Sequence, residues 1–101
     1  MLYLVMPAAA ADLQEIWDYI AEDSEAAATR YLETIRKEFA ALARMPDAGA
    51  VRSELTSKAV RFWLVGPNNS HFVIYNPTSR PVEILRVLHT ARNAKRILRG
   101  R

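Results

Sequence analysis

The 101-residue chain has no cysteine. That excludes a disulfide framework and thiolate metal sites, and it fits a reducing compartment. Glycine occurs only at Gly49, Gly66 and Gly100, so there is no glycine-rich phosphate loop and nucleotide binding is not supported. The two histidines, His71 and His89, stand apart and outside any HxxxH or acidic-loop pattern, so no metal or other cofactor is expected. No apolar run approaches the roughly 20 residues that span a bilayer. The opening MLYLVMPAAAA has no basic flank and passes into an acidic amphipathic segment, so it does not read as a signal peptide. A cytoplasmic protein without a membrane partner is the expectation. Repeats, low-complexity tracts and a second domain are also missing, which leaves a single domain over 1–101.

Half of the residues are apolar and a quarter are charged, a balance that belongs to a folded domain rather than a disordered one. The charge is polarised along the chain. Residues 1–50 hold nine carboxylates against four basic groups, a net −5, whereas residues 51–101 hold ten basic groups against Glu54 and Glu83, a net +8. Such asymmetry points to a basic surface that meets something anionic.

Leu2 to Met6 is a short apolar run closed by Pro7 and reads as a strand, buried or at an edge. A helix is predicted from about Ala8 to Glu22, with Leu13, Ile16, Trp17 and Ile20 as its apolar stripe and Asp12, Glu15, Asp18 and Glu22 facing away. Asp23 or Ser24 caps a second helix to about Arg44, its stripe being Ala28, Tyr31, Leu32, Ile35, Phe39 and Leu42. The short link makes the pair an antiparallel hairpin. Trp17, Tyr31 and Phe39, at helical spacing, read as core. Ala50 to Lys58 is a loop or a single helical turn.

Three strand-like runs follow, over 60–65, 71–76 and 82–88. Short connections make them an antiparallel meander. The fold class is therefore α+β: an N-terminal strand, a helical hairpin on an antiparallel sheet of three to four strands, and a short basic C-terminal tail with a helical pattern over 93–98. With helices on one face, the other is left partly open. Phe62, Trp63, Leu64 and Val65 are more apolar than an exposed face tolerates, which implies a partner there. His71, beside the hairpin loop, reads as a surface residue.

The last strand, VEILRVLH, is apolar on both faces. Alternation puts Arg86 beside Val82, Ile84 and Leu88, and an arginine on such a face is paired with an acid, on Glu83 or a helix, or lines a groove. After it come His89, Arg92, Lys95, Arg96, Arg99 and Arg101 with no carboxylate among them.

DLQEIWDYIAE, FAALARMPDAG, VRFWLVGPNNSHFVIYN and VEILRVLHTARN, in this order, resemble the ParE branch of the ParE/RelE toxins of bacterial type II toxin–antitoxin systems. The most specific pieces are Asp12-Leu13-x-x-Ile16-Trp17-x-Tyr19-Ile20 and Arg86-Val87-Leu88-His89-x-x-Arg92, and the resemblance covers nearly the whole chain. It implies a small α+β toxin wrapped by a ParD-like antitoxin segment that folds on binding, in a hetero-oligomer. It implies DNA gyrase as target, stalled on cleaved DNA, with a role in plasmid or chromosome stability. On that reading Arg86, His89, Arg92, Lys95, Arg96 and Arg99 are the candidate target surface. Arg61 and Trp63 are candidate antitoxin contacts, and no residue is catalytic. RelE-like relatives cut mRNA on the ribosome instead. The nuclease alternative makes His89 the acid or base, since an imidazole titrates near neutrality, and uses Arg61 and Arg86 for the phosphate, assisted by Tyr75 or Lys58. A dense Lys/Arg/Tyr cluster of the RelE kind is missing.

Overall fold

The computed structural model describes residues 2–92. The segment from Asn93 onward, with Lys95, Arg96, Arg99 and the helical pattern expected over 93–98, lies outside the described residues. The elements run β1 (Tyr3–Val5), α1 (Pro7–Ala21), α2 (Glu25–Arg44), β2 (Arg61–Val65), β3 (His71–Asn76) and β4 (Val82–His89).

Pro7 opens α1 at its first turn, where the missing N–H costs nothing and φ is already helical. Ser24 caps α2, its Oγ accepting from the Ala27 N–H at 3.1 Å. Leu13 and Ile16 of α1 and Ala28, Leu32, Ile35, Phe39 and Leu42 of α2 are buried, with Trp17, Ile20 and Tyr31 partly buried against the same core. The helical spacing of the apolar residues thus becomes one face of a hairpin. Residues 51–59 form neither helix nor strand, and Ala50 makes a single bridge to Phe62.

The sheet order is β1-β4-β3-β2. β2, β3 and β4 form the expected antiparallel meander, whereas β1 pairs parallel with β4 over three residues and makes the sheet mixed. A parallel pairing follows from the crossover: the helical hairpin carries the chain across the sheet between β1 and the meander. Tyr3 on β1 meets Phe39 on α2 edge to face, ring centroids 5.4 Å apart.

Simple alternation fails along β4. Tyr75 pairs with Ile84 but Ile74 pairs with Arg86, so Leu85 is an extra residue in the ladder. A bulge reverses the parity of everything beyond it. Val82, Ile84 and Val87 therefore belong to the core under the helices, while Leu88 joins Phe62 and Phe72 in a second cluster. The expected grouping of Arg86 and Leu88 with Val82 and Ile84 is corrected accordingly.

The outer face is also less open than its composition suggests. Val65 is buried in the main core and Trp63 packs against it, while Leu55, Val60 and Ile74 pack on the Phe62–Phe72–Leu88 cluster. Of the four residues Phe62 to Val65, only Leu64 is exposed, at 48%. It stands at an apolar cleft of about 390 Å³ with Leu55, Phe62 and Phe72.

Candidate functional site: a histidine cleft at the end of the last strand

β1 covers only the first part of β4, through Ile84. Beyond it the β4 edge is free, and α1 lies there. Asp12, expected on the solvent face of α1, is instead buried. Its carboxylate accepts from Arg86 Nε at 2.7 Å, from Arg86 Nη2 at 2.9 Å and from the Val87 N–H at 2.9 Å. The ladder donor that β1 does not reach is thus satisfied by a side chain, as a buried backbone N–H must be. The same carboxylate pins Arg86 in a two-pronged ion pair and raises its already high pKa.

This clamp forms one wall of a cleft of about 550 Å³ between the helical hairpin and the ends of β3 and β4. Ile16 and Ile20 of α1 and Ala27 of α2 supply apolar lining; Tyr31, His71, His89 and Arg92 supply polar groups. His71 and His89 are directly opposed in the β3–β4 register, their rings 5.3 Å apart and nearly perpendicular. His71 is half-buried rather than a surface residue, because β3 alternation turns it inward with Val73 and Tyr75.

The His71 Nδ1 lies 2.8 Å from the Tyr31 hydroxyl and 3.3 Å from Ser70 Oγ. Burial first, then the charges of His89 and Arg92, lower the His71 pKa to about 4. Burial likewise raises the Tyr31 hydroxyl. Gly66 makes this reach possible: its φ is +84°, and a Cβ there would collide with the Tyr31 hydroxyl. Asn68 and Asn69 also take positive φ in the tight β2–β3 loop, a conformation asparagine tolerates.

Thr90 ties the strand end to that loop, its N–H donating to Ser70 O at 2.9 Å and its hydroxyl to Asn69 O at 2.6 Å. The Arg92 N–H donates to His89 Nδ1 at 3.3 Å, and the Arg92 guanidinium sits 5.6 Å from the centroid of the Tyr19 ring. Arg92, the last of the described residues, thus lines the cleft.

The other candidates fall elsewhere. Arg61, on the outer strand β2, donates to Gly49 O at 2.7 Å and Asp47 O at 3.3 Å, with the Asp47 carboxylate 3.6 Å away. Tyr75 is fully buried; its hydroxyl donates to Pro46 O at 2.6 Å and accepts from the Gly49 N–H at 2.9 Å. Both side chains hold the 46–50 turn. Trp63 keeps a buried Nε1 that has no hydrogen-bond partner among the described residues. Arg86, His89 and Arg92 share the cleft, and Arg61 and Trp63 do not line it.

Asp12, Tyr31 and His71 were missed by sequence reasoning. Arg86 on an apolar strand signalled a need for an acid without naming which one. The pairing of His71 with His89 depends on strand register, which no local pattern encodes. Among the described residues, no three His, Cys, Asp or Glu side chains gather as metal ligands, and no helix is long and apolar enough to cross a membrane.

None of the curated proteins compared with this chain matches it. A solved chain from the chromosomal ParDE TA system of P. aeruginosa is similar with a TM-score of 0.66 and 22% identity. The match covers 86% of this chain and 92% of that one, and at such identity it speaks for the fold. The family model described as "ParE toxin of type II toxin-antitoxin system, parDE" matches residues 3–94. That span takes in every element of the sheet and hairpin together with the Asp12–Arg86 clamp and the histidine cleft, and the chain belongs to this ParE toxin family.

Proposed function

We propose that this toxin, once released from its antitoxin, inhibits DNA gyrase by contact rather than by chemistry of its own, and that the cleft with its basic exit is the target surface. The observation that carries this reading is the commitment of the arginines. Arg86 is clamped by Asp12, and Arg61 is spent on the 46–50 turn. A phosphodiester cleavage site needs cations free to meet the phosphorane and an acid–base group beside them. Here the two arginines of the nuclease alternative are held apart from each other, and the His71 and His89 rings are in contact, with no space between them for a phosphate. His89 and Arg92, by contrast, line the cleft and precede Lys95, Arg96 and Arg99 in the sequence.

The antitoxin reading rests on the apolar cleft around Leu64, which suits a side chain of an amphipathic segment that folds on binding. Trp63 is proposed to support that surface from beneath. Arg61 is proposed to act there only indirectly, through the turn it holds.

A gyrase assay tests the function. Antitoxin-free toxin is added to gyrase, supercoiled plasmid and ATP, and trapped cleaved DNA is scored. Accumulation that the antitoxin suppresses is the expected result. A folded, antitoxin-binding sample without effect removes gyrase as the target and makes ribosome-dependent mRNA cleavage, with His89→Ala as the probe, the next reading to test.

A further inference from the structure

We propose that His71 and His89 form a chelating site for a late first-row divalent metal ion, Zn²⁺, Ni²⁺ or Cu²⁺, each histidine giving its Nε2. Such a site goes beyond inhibition by protein contact and is tested without gyrase.

Strand register brings the two ligands together. His71 on β3 and His89 on β4 are directly opposed in an antiparallel pair, so both side chains leave the same face of the sheet side by side. Their ring centroids lie 5.3 Å apart. Two imidazoles on one tetrahedral ion, with metal–nitrogen bonds of about 2.1 Å, hold their centroids about 5 Å apart. The spacing that leaves no room between the rings therefore suits an ion at their outer edges.

Hydrogen bonding leaves the outer nitrogens available. His71 Nδ1 meets the Tyr31 hydroxyl at 2.8 Å and Ser70 Oγ at 3.3 Å. With the ring proton on Nδ1 and the Tyr31 oxygen accepting it, Tyr31 donates in turn to Ser70 Oγ, 3.2 Å away. A partner of this kind orients a ligating histidine and leaves the lone pair on Nε2. His89 Nδ1 accepts from the Arg92 N–H at 3.3 Å, a long and weak bond. Coordination of His89 moves its ring proton from Nε2 to Nδ1 through water and gives that bond up. Neither Nε2 has a hydrogen-bond partner among the described residues. The one buried side-chain nitrogen or oxygen there without a partner is Trp63 Nε1, so both histidine nitrogens are in reach of solvent.

The charges around the pair do not oppose an ion. Asp12, Glu15, Arg86 and Arg92 line the cleft with the histidines, two carboxylates against two guanidiniums, and Asp12 is already paired with Arg86. Burial first, and then the charges of His89 and Arg92, keep His71 in the uncharged form that binds metal. Among the described residues no third His, Cys, Asp or Glu joins the pair. The remaining coordination positions therefore fall to water or to a donor from another molecule, as at an open site. Imidazole ligands select zinc, nickel and copper over magnesium and calcium, which take oxygen.

The test is isothermal titration of the untagged full-length toxin, stripped with a chelator, with ZnCl₂, NiCl₂, CuCl₂ or MgCl₂. One Zn²⁺ per chain is expected, with Cu²⁺ binding more tightly than Ni²⁺ or Zn²⁺ and Mg²⁺ not competing. His71→Ala and His89→Ala should each weaken Zn²⁺ binding more than about 100-fold, beyond what the loss of an outer partner costs. Tyr31→Phe keeps both ligands and should weaken it about tenfold, because His71 loses its orienting hydroxyl. Circular dichroism checks that each variant is folded. In the wild-type toxin, NMR signals of both histidine rings should shift together on addition of Zn²⁺.

No Zn²⁺ binding by the folded wild-type toxin overturns the proposal. So does a titration that shifts only one of the two rings, or an affinity that survives His71→Ala, since the rings are then only an edge-to-face pair. Competition by Mg²⁺ as effective as that by Ni²⁺ also overturns it and assigns the ion to carboxylates. Any of these results leaves the gyrase assay to stand or fall independently.

Discussion

Asp12 on α1 and Arg86 on β4, 74 residues apart, are joined by two hydrogen bonds of 2.7 and 2.9 Å. The same carboxylate takes the Val87 N–H. One side chain thereby does three things: it docks the first helix on the last strand, closes the ladder where β1 stops, and removes Arg86 from the pool of free cations.

Asp12→Ala should destabilise the toxin by about 2 kcal/mol, since it orphans a buried N–H and two charge-assisted bonds, with water regaining part of the loss at the half-exposed Arg86. Asp12→Asn should cost about half as much, because its carbonyl still accepts. Urea unfolding of the two variants checks this. An alanine variant as stable as wild type would mean that the clamp is not structural.

Stability should also fall as the medium is acidified, through His71. Its folded-state pKa of about 4 lies below the ordinary 6.5, so between those values the unfolded chain binds more protons than the folded one. The His71 contribution is complete above about pH 6.5 and is lost as pH falls toward about 4. Because the ring is only half-buried, the effect is about 1 kcal/mol between pH 7 and 5. His71→Gln should show a correspondingly smaller drop across that range, measured by urea unfolding at both pH values.

Tyr75→Phe removes the hydroxyl that bridges Pro46 O and the buried Gly49 N–H. A loss of about 2 kcal/mol is expected, with faster amide exchange at Gly49. Exchange at Gly49 as slow as in wild type would show that the hydroxyl does not hold the turn.

Arg61→Ala separates the two readings of function. If Arg61 only supports the 46–50 turn, the variant loses about 1 kcal/mol of stability and keeps its effect on the target. A folded Arg61→Ala toxin with its growth inhibition abolished would restore Arg61 to the site and with it the nuclease alternative.

Leu64→Glu should weaken antitoxin association at least about tenfold, as a charge facing an apolar partner does, with little change in stability, because Leu64 is exposed. Calorimetric titration of the variant with the antitoxin measures it, and unchanged affinity would move the antitoxin contact off this cleft.

Much of the architecture was legible because it rests on local periodicity. The stripes through Leu13 and Ile16 and through Leu32, Ile35 and Phe39 have the 3.6-residue period of a helix with one wet face. Ser24 announces the second helix by a capping chemistry that needs only the next three residues. Pro7 and Gly66 mark breaks for similarly local reasons. The basic character of the chain's last third is plain composition.

The site was only half legible for a corresponding reason. His89, Arg86 and Arg92 stand out in one short stretch, but their partners are distant: His71 by strand register, Tyr31 by helix rotation, Asp12 by docking of α1 on a free strand edge. A single extra residue, Leu85, decides which face each β4 side chain takes, and the cost or gain of a bulge is settled by packing on both sides of the sheet rather than by the strand itself. Local residue chemistry was enough to fix the elements, their order and the sign of the charge. That Arg86 is tied to Asp12 depends on the fold, because the two residues stand 74 apart and meet through the docking of α1 on β4.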